Sequence, residues 1–302
     1  MAVAQSYPDH PVKFILPMSA GGAGDTMFRP LVPYLSEVLG QPVVVENVPG
    51  ATGTLGVQAA LKEAPDGYSV LMMSSAHIVN ETLQPERGFE ITKDFEPLTK
   101  LANVPYVFVT HESLGVNSLE EFVAYAKERP GEIDYVSSGV GSAYHLAIEL
   151  FTSAAGIELN HVPYSTSSAA RADVVAGHIP VLFDNIPTLV PFIESGVLRA
   201  HAVTSVNRSA LLPDVPSFSE TYPGFEADGY NGFMILKGAS PEVKAKLLDA
   251  ILKALSQPEV KEIYKTLGLE ITASDSPEEF GKFLDADITR WAKAIELAGI
   301  KQ

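Results

Sequence analysis

The stretch that most constrains this chain is Phe14-Ile-Leu-Pro-Met-Ser-Ala-Gly-Gly-Ala-Gly-Asp-Thr-Met-Phe-Arg29. Val12 to Leu16 is an apolar run of the length of a buried strand. Pro17 ends it, because proline cannot donate to a sheet ladder. Ser19 to Gly24 is small and glycine-rich, and Asp25 or Thr26 can cap a helix whose apolar face carries Phe28, Leu31, Val32 and Leu35. Glycines permit positive φ and let a ligand approach main-chain N–H groups, and a helix start adds about half a positive charge. The unit therefore predicts an anion site, or a tight βα turn that needs glycine on steric grounds alone. It is not a dinucleotide fingerprint, because Met27 stands at the third glycine position, and it is not a P-loop, because no Gly-Lys-Ser/Thr follows.

The same design recurs. Val43 to Asn47 reads as a second strand, followed by the small residues of Val48 to Gly53 and a helix from about Leu55 to Glu63. Tyr68 to Met73 reads as a third strand ending in the small polar loop Ser74-Ser-Ala-His77. Strands alternating with helices predict a parallel sheet covered on both faces, with ligands beyond the carboxyl ends of the strands. Phe95 to Thr110 differs, being a long extended segment with no helix pattern, and it reads as a crossing into a second lobe. There Ser118 caps a helix, with Glu121 at the capping-box position. Ile133 to Ser138 is a strand, followed by Gly139-Val-Gly-Ser-Ala-Tyr-His145 and a helix. Glu158 to Val162 leads into Pro163 to Ser168 and a further helix, and Val181 to Phe183 leads into Asp184. Ala227 to Leu236 would return the chain to the first lobe, which ends in amphipathic helices over 258–267 and 277–298.

The expected organisation is α/β, with residues 1–103 and 226–302 forming a discontinuous first lobe and 104–225 a second. Each lobe would be a mostly parallel sheet flanked by helices, with a ligand cleft between them. Two extended crossings would make a hinge, as in clamshell binding proteins.

Composition narrows the function. The formal charge of −16 argues against nucleic acid as a partner. The absence of cysteine removes zinc–thiolate sites, thiol nucleophiles and disulfides together. No apolar run approaches the ~20 residues of a membrane span. Ala2-Val3-Ala4 has the small-x-small form of a signal-peptidase site, so export with cleavage after Ala4 is expected.

Ser142, His145 and Asp184 suggest a Ser-His-Asp hydrolase, but Gly139-Val-Gly-Ser-Ala143 is not the Gly-x-Ser-x-Gly elbow. The seven histidines show no His-x-x-x-His or His-Glu-x-x-His spacing, so no metal site or cofactor is expected. Tyr144, His145 and His77 read either as cleft-lining residues or as satisfied packing. Arg171, early in a helix of small residues, reads as a surface arginine, the alternative being a partner for a second carboxylate.

A series of motifs resembles a known family in order along nearly the whole chain. Pro11-Val-Lys-Phe-Ile-Leu-Pro17 with Gly21, Gly22 and Asp25 comes first, then Gly40-Gln-Pro-Val-Val-Val-Glu-Asn-Val-Pro-Gly50 and Ala64-Pro-Asp-Gly-Tyr68. Ser142 with His145-Leu-Ala, His161-Val-Pro-Tyr164, Phe183-Asp-Asn185 and Ala202-Val-Thr-Ser205 follow. Leu212-Pro-Asp-Val-Pro216, Pro223-Gly-Phe-Glu226 and Arg290-Trp-Ala-Lys293 complete it. The series resembles the solute-binding proteins of tripartite tricarboxylate transporters, the Bug or TctC-like family. The resemblance implies a type II periplasmic-binding-protein (Venus-flytrap) fold and a monomeric, non-enzymatic receptor. That receptor would deliver a small organic acid, a dicarboxylate or an aromatic carboxylate, to membrane permease subunits. A sensing partner of a membrane kinase is the alternative role.

Carried over residue by residue, the resemblance points to Ser19, Gly21 and Gly22 in the first loop and to Ser74, Ser75 and His77 in the third. In the second lobe it points to Ser137, Gly141, Ser142, His145, Thr166, Ser167 and Asp184. Tyr144 is added from its own position at a helix start, where the family usually has Ser or Thr, and Arg171 stands where an apolar residue is usual. The first loop reads Pro17-Met-Ser-Ala-Gly-Gly22 in place of the common Pro-Phe-Pro-Pro-Gly-Gly. Tyr144 would narrow the cleft and offer an aromatic face with a polar tip. Asp184 would favour a ligand donor group, and could tolerate a second ligand carboxylate only with a water, a proton or a cation between them.

Overall fold

The computed structural model describes residues 7–83 and 85–300; the expected cleavage after Ala4 lies outside them. In chain order the strands are β1 (Val12–Leu16), β2 (Val43–Asn47), β3 (Ser69–Ser74), β4 (Phe95–Val104), β5 (Tyr106–His111), β6 (Asp134–Ser137), β7 (Asn160–Pro163), β8 (Val181–Asn185), β9 (Leu198–Val203), β10 (Gly229–Leu236) and β11 (Glu270–Ile271). They form two sheets, ordered β11-β4-β10-β3-β1-β2 and β7-β6-β8-β5-β9. The chain divides into two compact units, one reaching to Ala102 and resuming over Tyr230–Ile288, the other comprising Asn103–Gly229 and the residues from Thr289 on. The last boundary falls within the helix Pro277–Leu297, so the chain end groups with the second unit and not with the first. A physical reason is local: Arg290 Nη1 donates to the Glu226 carbonyl at 3.1 Å.

Each sheet is mixed. β1 runs parallel to β2 and β3, as the strand–helix alternation predicts, but β10 pairs antiparallel with β3. In the second sheet β6 is parallel to β7 and β8, while β5 is antiparallel to both β8 and β9. β5 is the first strand after the chain enters the second unit, past Ala102 in β4, and β10 is the strand on which it returns to the first. Neither is joined to its neighbours by the helical crossover that parallel pairing requires.

The long extended segment is two strands, broken at Pro105. The single helix expected after the glycine loop is three pieces, Ala23–Phe28, a 3-10 turn Arg29–Leu31 and Val32–Leu39, because Pro30 lacks the N–H that a continuous helix needs. Phe28, Leu31 and Leu35 nevertheless share one buried face. In the first unit Phe14 lies 4.7 Å from Phe28 and 5.3 Å from Phe233, centroid to centroid. In the second, Phe108 lies 4.9 Å from Phe122 and 5.1 Å from Phe151 and Phe183. Such rings bury roughly 150–250 Å² each and fix the layers around each sheet.

Candidate functional site

Strand order locates the candidate residues. In the first sheet β2 lies on one side of β1 and β3 on the other; in the second, β7 and β8 flank β6 in the same way. Between β1 and β3, and between β6 and β8, the winding reverses direction, and open α/β sheets bind ligands beyond the strand ends at such points.

In the first unit the loop after β1 is held by the protein's own anion. The Gly21 N–H donates to Asp25 Oδ2 at 2.8 Å, and Gly22 N–H donates to the Ser19 carbonyl at 3.0 Å. Asp25 also accepts from Arg29 Nε at 2.6 Å and from Asn47 Nδ2 at 3.0 Å. The Arg29 guanidinium, Gly21 N–H and Asn47 amide hold its carboxyl below the usual range. Asp25 is thus not the helix cap; Gly22 holds that position without a side-chain bond. The amides offered to an external anion at Gly21 and Gly22 are already engaged, whereas Ser19 is exposed. The Asp25–Arg29 contact was legible as an i, i+4 pair of opposite charge; its reach back to Gly21 was not.

After β3 the expected loop is instead the start of a helix, Ser75–Leu83, so Ser75 and His77 are helical and both buried. His77 Nδ1 accepts the Ser74 N–H at 3.0 Å. The proton of the neutral ring therefore sits on Nε2, which is buried without a hydrogen-bond partner among the described residues. Burial lowers the ring's pKa to about 4, so it is neutral at pH 7. Gly53, with φ of 91°, lies against this nitrogen: a Cβ there would stand 2.4 Å from Nε2. The buried, neutral N–H donor is made by packing that no local pattern encodes.

In the second unit Ser142 caps the helix Ala143–Ala155 and Thr166 caps Ser167–Val175, accepting from the His145 and Ala169 N–H groups, each at 3.3 Å. Capping uses a lone pair and leaves the Ser142 hydroxyl proton to be donated, while Thr166 Oγ1 also lies 3.2 Å from Ser168 Oγ, with which it can share a proton. Ser137 differs. It is buried, its hydroxyl donates to the Gly139 carbonyl at 3.0 Å and lies 2.7 Å from His161 Nε2, which locks the turn after β6. The Gly141 N–H donates to His145 Nδ1 at 3.0 Å. The His145 ring stacks on His161 at 3.9 Å, and burial with the neighbouring imidazole lowers its pKa to about 4. Ser142 meets His145 through the backbone N–H, not through the ring nitrogens of a nucleophile–base pair.

Asp184 lies in β8, two per cent exposed at its side chain, and its Oδ1 accepts the Asn185 N–H at 2.8 Å. Its Oδ2 has no hydrogen-bond partner among the described residues but stands 3.5 Å from Arg171 Nη1. Burial raises the Asp184 pKa and Arg171 opposes that rise. Tyr144, edge-on to Tyr106 at 4.8 Å, has its phenol pushed up by burial and by the Asp184 carboxylate. Arg171 is therefore not the surface arginine of the simplest reading: its side chain is 20% exposed and faces a buried carboxylate. The two residues sit on a helix and a strand, and only the fold brings them together.

Two open α/β units, each with a winding reversal lined by small residues and neutral donors, define the class of two-domain solute-binding proteins. The sequence matches the Tripartite tricarboxylate transporter family receptor over residues 27–300. The chain belongs to that family of solute-binding receptors. It is 36% identical over 301 residues to Protein BugT of Bordetella pertussis, covering 99% of this chain and 92% of that one. The solved periplasmic binding protein BugD is 31% identical with a TM-score of 0.77, covering 98% of this chain and 99% of that one. An R. palustris protein solved with adipate is 29% identical with a TM-score of 0.80, covering 97% and 98%.

Proposed function

We propose that this receptor works in the periplasm, binds a small organic carboxylate without transforming it, and hands it to the membrane subunits of its transporter. The observation that carries the reading is the pair of winding reversals; the reading draws its donors from Ser19, Ser75 and His77 after β1 and β3, and from Ser142, Thr166 and Ser167 after β6 and β7. These groups are hydroxyls and a neutral imidazole N–H, donors suited to a carboxylate in a site that carries little charge of its own. The adipate held by a 29% identical relative supports the ligand class. The capping role of Ser142, with its hydroxyl on a backbone N–H, supports binding over hydrolysis.

The test is a thermal-shift screen of linear C4–C8 diacids, their monoamides and aromatic acids, repeated with His77→Ala and Ser142→Ala. A ligand at 100 times its Kd adds about 2.7 kcal/mol to stability, a shift that either variant should shrink. If no acid stabilises the protein, the carboxylate reading fails. If both variants respond as the parent does, these residues are not the site.

A further inference from the structure

We infer that Arg171 reads a second carboxylate of the ligand, with Asp184 holding its guanidinium in place, so that the receptor selects dianionic diacids over their singly charged analogues. This rests on the carboxylate reading above and narrows it.

The argument is one of unspent donors. Arg171 has a single charged neighbour, Asp184, at 3.5 Å from Nη1, too far for a hydrogen bond, and no other partner among the described residues. A guanidinium carries five N–H donors in a rigid fork that matches a carboxylate edge on two atoms. On its other side Asp184 Oδ2 is buried and meets no donor within hydrogen-bond geometry among the described residues, although the Tyr144 phenol faces the same carboxylate. A buried carboxylate atom and an unused guanidinium in such proximity form an incomplete network. A carboxylate on the outer side of Arg171 completes it, giving the charge order ligand carboxylate, guanidinium, Asp184. The cation required between Asp184 and a second ligand carboxylate is thus supplied by the protein.

The location fits. Arg171 belongs to the helix capped by Thr166, and Asp184 belongs to the strand on the other side of the winding reversal from β7. At one-fifth exposure the side chain remains reachable. The other residues assembled at this reversal (Ser137, Ser142, Tyr144, Thr166 and Ser167) bring no positive charge.

The experiment is calorimetry at pH 7.5 with succinate, glutarate and adipate, each beside its monoamide. The intact protein, Arg171→Met, Arg171→Lys and the double variant Arg171→Met/Asp184→Asn are compared. The intact protein should bind at least one diacid ten times or more tighter than its monoamide. Arg171→Met should reduce that ratio to within twofold by weakening the diacid alone, and Arg171→Lys should keep part of it. If Arg171→Met fails to fold because Asp184 is left buried and uncompensated, the double variant takes its place and should show the same collapsed ratio. Equal affinity for diacid and monoamide in the intact protein overturns the inference while leaving the carboxylate reading intact. So does a diacid preference that survives in Arg171→Met or the double variant, and so does an equal loss for both ligands, which marks a structural role. Failure of all six acids to bind the intact protein rejects the inference, and the broader screen above then decides the carboxylate reading separately.

Discussion

His77 and Gly53 show how one side chain's chemistry depends on another residue's lack of one. Gly53 adopts a φ of 91°, and a methyl there would stand 2.4 Å from His77 Nε2. Gly40 shares the positive φ, at 69°, but a Cβ there would meet nothing within 4 Å. Gly40→Ala should therefore cost only the strain of a non-glycine residue in that region, about 1 kcal/mol, and Gly53→Ala about 2–3 kcal/mol. Denaturant titration of both checks this, and in a His77→Ala background Gly53→Ala should cost no more than Gly40→Ala does. The buried imidazoles also set an acid limit. His77, His145 and His201 each have a pKa lowered to about 4, burial being the main cause. An unfolded histidine titrates near 6.5. Their stabilisation is complete above pH 6.5 and is lost as the pH falls from there towards 4, because the unfolded chain takes up the protons first. Each contributes at most about 3 kcal/mol. His161 is lowered by burial as well, so unfolding midpoints should drop between pH 6.5 and 5, above the range of most carboxylates, and His201→Gln should remove part of that drop.

Among the elements, the helices after β6 and β7 are each capped by one hydroxyl, Ser142 and Thr166, which the proposed site also calls on. Thr166→Ala should destabilise by about 1 kcal/mol, the ordinary value of a lost cap, and Thr166→Ser should restore most of it. If Thr166 also donates to the ligand, the alanine variant should lose affinity beyond what its stability loss explains, and calorimetry on the two variants separates the effects. Which elements form was readable because their signals are local. Ser118 and Pro241 mark helix starts, and short apolar runs mark β1, β2, β6 and β8. The helix Ser75–Leu83 was not readable, since Ser75, Ala76 and His77 carry neither an apolar stripe nor a capping box. The reversed direction of β5 and β10 was hidden too, because pairing direction depends on where the chain returns and not on the residues of the strand. At the candidate site the sequence could nominate residues but not their engagement: Gly21 is spent on Asp25, Ser137 on its own turn, and Arg171 lies beside Asp184.

For the molecule as a whole, the unequal continuity of the two sheets sets an order of assembly. β5 to β9 follow one another without interruption and make up the entire second sheet. The first sheet has β10 between β3 and β4, so it stays split until residues 229–236 are available. On a ribosome or a translocon, the earliest-made strands must wait for one made more than a hundred residues later, with the β3-β1-β2 half-sheet and the lone β4 exposing unpaired edges in the meantime. Hydrogen-exchange pulse labelling of refolding full-length protein should find amides of β5, β6 and β8 protected before those of β1 and β3. Simultaneous protection would mean that the two sheets condense together. The N-terminal half-sheet is accordingly the segment of the nascent chain with most need of a chaperone.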